Sequence, residues 1–345
     1  MASASIWKDN KILRKWIKKY QEDFVDGNFN YDMTNIMSDP LLDAISNKIN
    51  VDKDYIYLGA GSSQLITILI NLRIWNKVII PLPEFGLYTR GIELNDLNAE
   101  TIYCINCDEF IQKLDLVPSD KKDLLCLSSP RWFSGEKFTK DQIEIILKKF
   151  KGTILIDEAY IAFSENKNGL IDLAMKNSRV MILRSLSKTY FASGFRIGYL
   201  VTKKKINGLR NTFIAPHSIS TYSARFATKL LSDEKLLKVF ENSIEYMKKN
   251  RDLLYDELKN REDFEILKSE ANFVTLLFKN KQKFLDCYEL LKILPGIQKF
   301  DINNTKFIKI WISNERYSKT VIERLKKLQW YIYTPYQVLI LIIQK

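Results

Sequence analysis

Histidine is almost absent from this 345-residue sequence: there is one, His217, alongside only four cysteines. A metal centre of histidine and cysteine ligands needs several of them close together. Cys104 and Cys107 make a lone Cys-x-x-Cys pair with no second pair and no histidine cluster after it, so no metal site is expected. Four thiols in a chain this long make no disulfide framework, and they read as structural thiols of a reducing cytoplasm. Long apolar runs are missing too. The longest, Val338 to Ile343, falls far short of the ~20 residues that a membrane-spanning helix needs, so no membrane association is expected. The opening stretch MASASIWKDNKILRKW lacks an uninterrupted apolar core and reads as a plain start rather than a signal peptide. There is no low-complexity tract and no repeat, and 46% hydrophobic residues argues against disorder.

A chain of this length suits two or three domains with a substantial buried core. Its formal charge of +12 would suit an anionic partner. The lysines, however, are spread along helical faces at 11–19, 235–249 and 319–327 rather than gathered into an arm. Lysine-rich composition accounts for the charge, and nucleic acid is not expected as a partner.

What is present centres on Val180 to Thr202, VMILRSLSKTYFASGFRIGYLVT. The apolar, β-rich run Val180 to Leu183 delivers Arg184, Ser185, Ser187 and Lys188 to a loop, and a second strand-like run after Gly194 carries Arg196. Two cations and two hydroxyls converge near one point, which calls for an anion. Upstream, Tyr55 to Leu58 is strand-like and Gln64 to Leu72 is an apolar helix pattern. Between them Gly61, Ser62 and Ser63 would let backbone close on an anion at a helix start, where N–H donors are free. A serine cap serving only its own helix has the same appearance. After the strand Val78 to Leu82 comes Phe85, either a ring-stacking residue or core. The strand Leu124 to Leu127 ends in SSPRWFSG, and the very apolar strand Thr153 to Ile156 presents Asp157, Glu158 and Tyr160. A carboxylate at the end of a buried strand is costly unless partnered, and a protonated aromatic nitrogen is a fitting partner. Capping of the following segment is the alternative for Asp157.

Together these motifs resemble the lysine signature of fold-type I pyridoxal-phosphate enzymes of the class I/II aminotransferase family, Ser-x-Ser-Lys followed by Gly-x-Arg-x-Gly. The Leu-Arg-Ser lead-in is most similar to the branch of histidinol-phosphate aminotransferases and threonine-phosphate decarboxylases. The resemblance covers about Pro40 to Leu328. It implies a doubly wound, mostly parallel α/β sheet with a smaller α+β domain, a homodimer, and pyridoxal 5′-phosphate as cofactor. It also implies that Lys188 forms the Schiff base and serves as general base, and that Gly61, Ser62, Ser63, Ser185, Ser187 and Arg196 hold the cofactor phosphate. Phe85 would stack on the ring, Asp157 would pair with its nitrogen, and Tyr160 would lie near its phenolic oxygen. The 31 residues from Asp157 to Lys188 fit the family.

Two positions depart from the family pattern. Trp132 stands where an asparagine faces the cofactor, and an indole lacks the amide's acceptor. Lys309, in the strand-like FIKIWI, stands where an arginine grips the substrate carboxylate, and a lysine is a point charge without the fork. His217 falls where the related branch lines its substrate entrance. With Trp132, Lys309 and His217 as substrate-side residues, the expected activity is amino transfer on a small, phosphorylated or otherwise anionic amine or amino acid, with spare lysines and Arg131 available for its charge. A decarboxylase of a phosphorylated amino acid is the alternative. A non-catalytic binding module of the same fold is a second.

The expected organisation is a segment 1–48 joining the small domain, a large cofactor-binding domain 49–235, and a small C-terminal α+β domain 236–345. Glu234 to Lys259 has the pattern of a long helix and would be the spine between them. The apolar tail QWYIYTPYQVLILIIQK would be an exposed patch on a monomer, and reads as a dimer arm or a packed edge strand.

Overall fold

The computed structural model describes residues 7, 10–25, 39–72, 74–205 and 218–328. His217 and the apolar tail beyond residue 328 lie outside the described residues.

The main sheet has seven strands: β1 (Ile56–Gly59), β2 (Val78–Leu82), β3 (Ala99–Tyr103), β4 (Leu124–Ser128), β5 (Thr153–Asp157), β6 (Val180–Ser185) and β7 (Gly198–Thr202). Their order is β1-β7-β6-β5-β4-β2-β3, parallel except for β7, which runs against both its neighbours. This is the doubly wound α/β sheet expected from the sequence. β4, β5 and β6 read as continuous apolar runs because helices cover both faces. Successive side chains alternate between two cores. Leu125, Ile154, Ile156 and Ile182 enter one, while Leu124, Cys126, Leu155 and Met181 enter the other, with Leu65, Ile66, Leu69 and Ile70 of the helix Gly61–Asn71.

A second, antiparallel sheet is formed by β8 (Glu265–Leu267), β9 (Phe273–Phe278), β10 (Ile297–Ile302) and β11 (Thr305–Trp311), in the order β10-β11-β9-β8. On β11, Ile308 and Ile310 join the core that also holds Phe284, Cys287, Val321 and Leu325 from the helices Lys281–Leu291 and Glu315–Lys326. Phe307, Lys309 and Trp311 alternate with them and so face the main sheet. The sequence does not reveal β3 and β10 because both are edge strands whose exposed, polar-rich faces leave no apolar run.

The helix Glu234–Leu258 links the two sheets. Asp233 caps its start by accepting from the Leu236 N–H at 3.1 Å. Leu236, Phe240, Ile244, Met247, Leu254 and Leu258 form its buried seam. From the same helix the buried Arg251 donates through Nη1 to the carbonyls of Phe163 and Ala271, both at 3.2 Å, tying a loop of each sheet to one side chain. The loop after β4 is docked as well: the Thr275 hydroxyl donates to the Phe133 carbonyl at 2.7 Å, and the Glu270 N–H to that of Gly135 at 2.7 Å. Among the described residues no helix is long and apolar enough to cross a membrane.

Candidate active site

The carboxyl ends of β1, β2, β4, β5 and β6 meet along one edge of the main sheet, joined there by the start of β7. Register fixes this: Gly59 lies opposite Gly198, Gly198 opposite Ser185, and Ser128 opposite Asp157. In open α/β sheets that edge is where ligands bind.

Lys188 is presented by the short helix Leu186–Thr189. Ser185 ends β6 and caps this helix, its Oγ accepting from the Ser187 N–H at 3.1 Å. The Lys188 Nζ lies 4.6 Å from the ring centre of Trp311 and 5.8 Å from that of Tyr160. Desolvation, and then the Arg196 guanidinium, hold its pKa below the usual lysine range, with Asp157 pulling the other way.

Beside it lies an anion cradle. The helix Gly61–Asn71 begins at Ala60, which offers no side-chain cap, so the amides of its first turn, where Ser62 and Ser63 sit, are left to an outside acceptor. Gly61 has φ +79°, and a Cβ there would stand 2.3 Å from Nη2 of Arg196. A Cβ on Gly198 would stand 2.4 Å from the Ser62 nitrogen. The two glycines are what let Arg196 and the helix start approach each other. Arg196 is itself in the left-handed region, at φ +54°, and Nη1 donates to the Ser193 carbonyl at 3.0 Å.

Asp157 closes β5, 7% exposed. Its Oδ1 accepts from the Ala159 N–H at 3.0 Å and its Oδ2 from the Tyr88 hydroxyl at 3.3 Å, and it pairs with no cation among the described residues. Burial pushes its pKa up to about 7, and the neighbouring carboxylates of Glu84 and Glu158 add to the rise. Glu158, presented by the same strand, is structural: Nε and Nη2 of Arg184 both donate to its Oε2, at 2.9 and 2.8 Å. The Tyr160 ring packs edge-on against Phe273 at 5.4 Å, joining the site to β9. Phe85 sits on the rim, 37% exposed, at the start of the helix Gly86–Asn95.

Trp132 and Lys309 meet each other. Lys309 is fully buried, donates from Nζ to the Trp132 carbonyl at 2.6 Å, and lies 4.2 Å from the Trp132 ring centre and 3.8 Å from that of Phe273. Desolvation first, then Lys188, depress its pKa strongly. Trp132 turns its ring toward Phe300 and Phe307 of the small sheet, at 5.1 and 6.3 Å. Arg131, the spare cation of the sequence, points elsewhere: it is fully buried, and Nη2 donates to the Cys104 carbonyl at 3.0 Å. Glu84 escapes notice in the sequence although it obeys the rule that singles out Asp157, a carboxylate just past a buried strand. Tyr88 and Trp311 carry no signal of their own, because aromatics in such runs read as core.

All four cysteines are buried free thiols, and among the described residues no cluster of histidine, cysteine or carboxylate groups suits a metal ion.

Residues 8–311 match the family Aminotransferase class I and II. A histidinol-phosphate aminotransferase of Methanococcus aeolicus is 28% identical over 302 residues, spanning 84% of this chain and 80% of that protein. The crystal structure of the histidinol-phosphate aminotransferase from Clostridium acetobutylicum superposes with a TM-score of 0.74 at 24% identity, over 90% of this chain and 95% of that one. That of L-threonine-O-3-phosphate decarboxylase from Porphyromonas gingivalis gives 0.71 at 16% identity, over 85% and 89%.

Proposed function

The chain belongs to the class I and II aminotransferase family and is a pyridoxal-phosphate aminotransferase, and we propose that Lys188 carries its cofactor and that its substrate is a small anionic amine. The observation that carries this reading is the convergence of Lys188, Asp157 and the Gly61–Arg196 cradle on one sheet edge. The described residues fit pyridoxal 5′-phosphate: a buried carboxylate without a cation awaits a ring nitrogen, and a cradle that a Cβ would fill awaits a phosphate.

Asp157 would hold its negative charge at the ring nitrogen. The uncapped amides at Ser62 and Ser63, the hydroxyls of Ser185 and Ser187, and Arg196 would hold the phosphate, while Phe85 would stack on the ring and Tyr160 would serve its phenolic oxygen. When bound, the cofactor supplies an aldehyde carbon that takes up the amine and a ring that draws electrons from it. Lys188, its pKa lowered by burial and by Arg196, would take a proton from the substrate's α-carbon and deliver it to the cofactor's aldehyde carbon, the shift that amino transfer requires. Trp132 would line the substrate side, with Lys309, which has no exposed surface, directly behind it and bonded to its carbonyl. A phosphate-bearing substrate is supported by the names of relatives such as the Methanococcus aeolicus protein. We also assign the protein to the cytoplasm as a homodimer; four buried free thiols support a reducing compartment.

The test is direct. Borohydride should fix the cofactor to the purified protein but not to Lys188→Ala, and amines bearing a phosphate should pass their amino group to a 2-oxo acid without carbon dioxide release. A colourless protein that ignores added cofactor would overturn the assignment of Lys188. Stoichiometric carbon dioxide release would move the reaction to decarboxylation.

A further inference from the structure

Glu84 lies just past β2, 3% exposed, and three donors converge on its carboxylate. The Phe85 N–H donates to Oε1 at 2.7 Å, while the Ser128 hydroxyl and N–H donate to Oε2 at 2.6 and 3.3 Å. The same Ser128 Oγ accepts from the Trp132 N–H at 2.7 Å, and the Trp132 carbonyl accepts from Lys309 Nζ at 2.6 Å. The result is a continuous hydrogen-bonded run, Phe85–Glu84–Ser128–Trp132–Lys309, that crosses from the end of β2 through the end of β4 to β11 of the small sheet. Donors enter it from both sides and end on Glu84.

Only an acceptor-only group can terminate such a run. A carboxylate accepts at both oxygens, whereas a carboxamide presents an NH₂ on one side and would face one of the incoming N–H groups donor to donor. Buried as it is, that mismatch has no water to relieve it. A charge at this place is costly to bury and is not needed for packing, since an apolar side chain would fill the space. Its value lies in what it holds. On one side is Phe85, on the cofactor rim. On the other are Trp132 and Lys309, the two residues whose motifs in the sequence depart from the pattern they resemble. Reactive sites depend on a supporting shell that fixes their contact residues to fractions of an ångström.

We infer that Glu84 is a positioning residue of the active site, the fixed end of a hydrogen-bonded run that keeps the cofactor-facing wall at Phe85 in register with the substrate-facing wall at Trp132 and Lys309. The inference rests on the assignment of these walls in the preceding subsection. It requires that Glu84 and Ser128 act as one unit.

The experiment uses the holoenzyme and three variants, Glu84→Gln, Ser128→Ala and the double. For each, kcat and KM for the amine, cofactor content by absorbance, and melting temperature are measured. Each single variant should lower kcat/KM by roughly tenfold with the cofactor still bound, and the double should be no worse than the poorer single, because both cut the same run. Single effects that multiply in the double would overturn the inference. So would kcat/KM values within about twofold of the parent alongside a lowered melting temperature, which is how a packing role alone behaves. If Glu84→Gln does not fold, the cycle is run on Ser128→Ala and Lys309→Met, with the same non-additivity expected and a multiplicative result overturning the inference. Failure of the underlying site assignment looks different: the parent protein itself would then show no lysine-fixed cofactor.

Discussion

Lys309 and Trp132, 177 positions apart in the chain, are joined by a 2.6 Å hydrogen bond from the lysine Nζ to the tryptophan carbonyl, with the indole ring over the same Nζ. Two substitutions that look like separate oddities in the sequence are one contact. They fill a box with Phe273 and Trp311 that leaves Lys309 no exposed surface. An arginine therefore cannot simply be placed at 309. Lys309→Arg alone should overpack the box and lower stability by about 1–3 kcal/mol in urea titrations. Trp132→Asn with Lys309→Arg together should accept ordinary α-amino acids better, in kcat/KM, than either change alone. A double variant whose change in kcat/KM is only the product of its singles would show that the two sites are independent.

Asp157 makes stability depend on pH. Burial raises its pKa from 3.8 to about 7, so the folded apoprotein keeps a proton that the unfolded chain has lost. The stabilisation is complete below pH 4, declines as the pH rises toward 7 and is gone above it, at up to ~1.4 kcal/mol per unit. Asp157→Asn removes that slope. Apoprotein melts should converge at low pH, and above pH 7 the Asn variant should be the more stable by about 2–4 kcal/mol, although it is inactive. Parallel pH curves for the two proteins would refute the assignment of this group.

Gly61 and Gly198 should respond differently to alanine. At Gly61 the new Cβ meets the far end of Arg196, which can swing aside, and the left-handed backbone costs about 1 kcal/mol. The loss should appear chiefly as weaker cofactor binding in absorbance titrations. At Gly198 the Cβ meets the backbone nitrogen of Ser62, which has nowhere to go. Gly198→Ala should cost more in melting temperature than Gly61→Ala; the reverse order would contradict the cradle geometry.

Arg251→Met should lower stability by about 2–4 kcal/mol, since it leaves two buried carbonyls, one from each sheet, without their charged donor. Denaturant titration measures it. A loss under about 0.5 kcal/mol would mean that the apolar seam of the helix alone joins the sheets.

The central part of the fold and half of the candidate site are legible in the sequence, for one physical reason. A strand buried on both faces reads as an unbroken apolar run, so the polar residue that ends it stands out. That is how Asp157 and Lys188 declare themselves, and Glu84 by the same rule is readable in hindsight. β3 and β10 leave no such run, being edges. The partner of Asp157, Tyr88, lies 69 positions away and reads as core from its own neighbours. The Trp132–Lys309 contact depends on how one sheet docks on the other, and nothing local to either residue encodes that.

The antiparallel strand β7 has a temporal consequence. Gly59 meets Gly198 only when β1, from the start of the main sheet, is zipped to the last strand of that sheet to be synthesised. A nascent chain cannot complete the Gly61–Arg196 cradle until every strand between them has left the ribosome. A ligand held at that cradle would bind the closed sheet alone, and mass action would make it a clasp on the most non-local strand pairing of the main sheet.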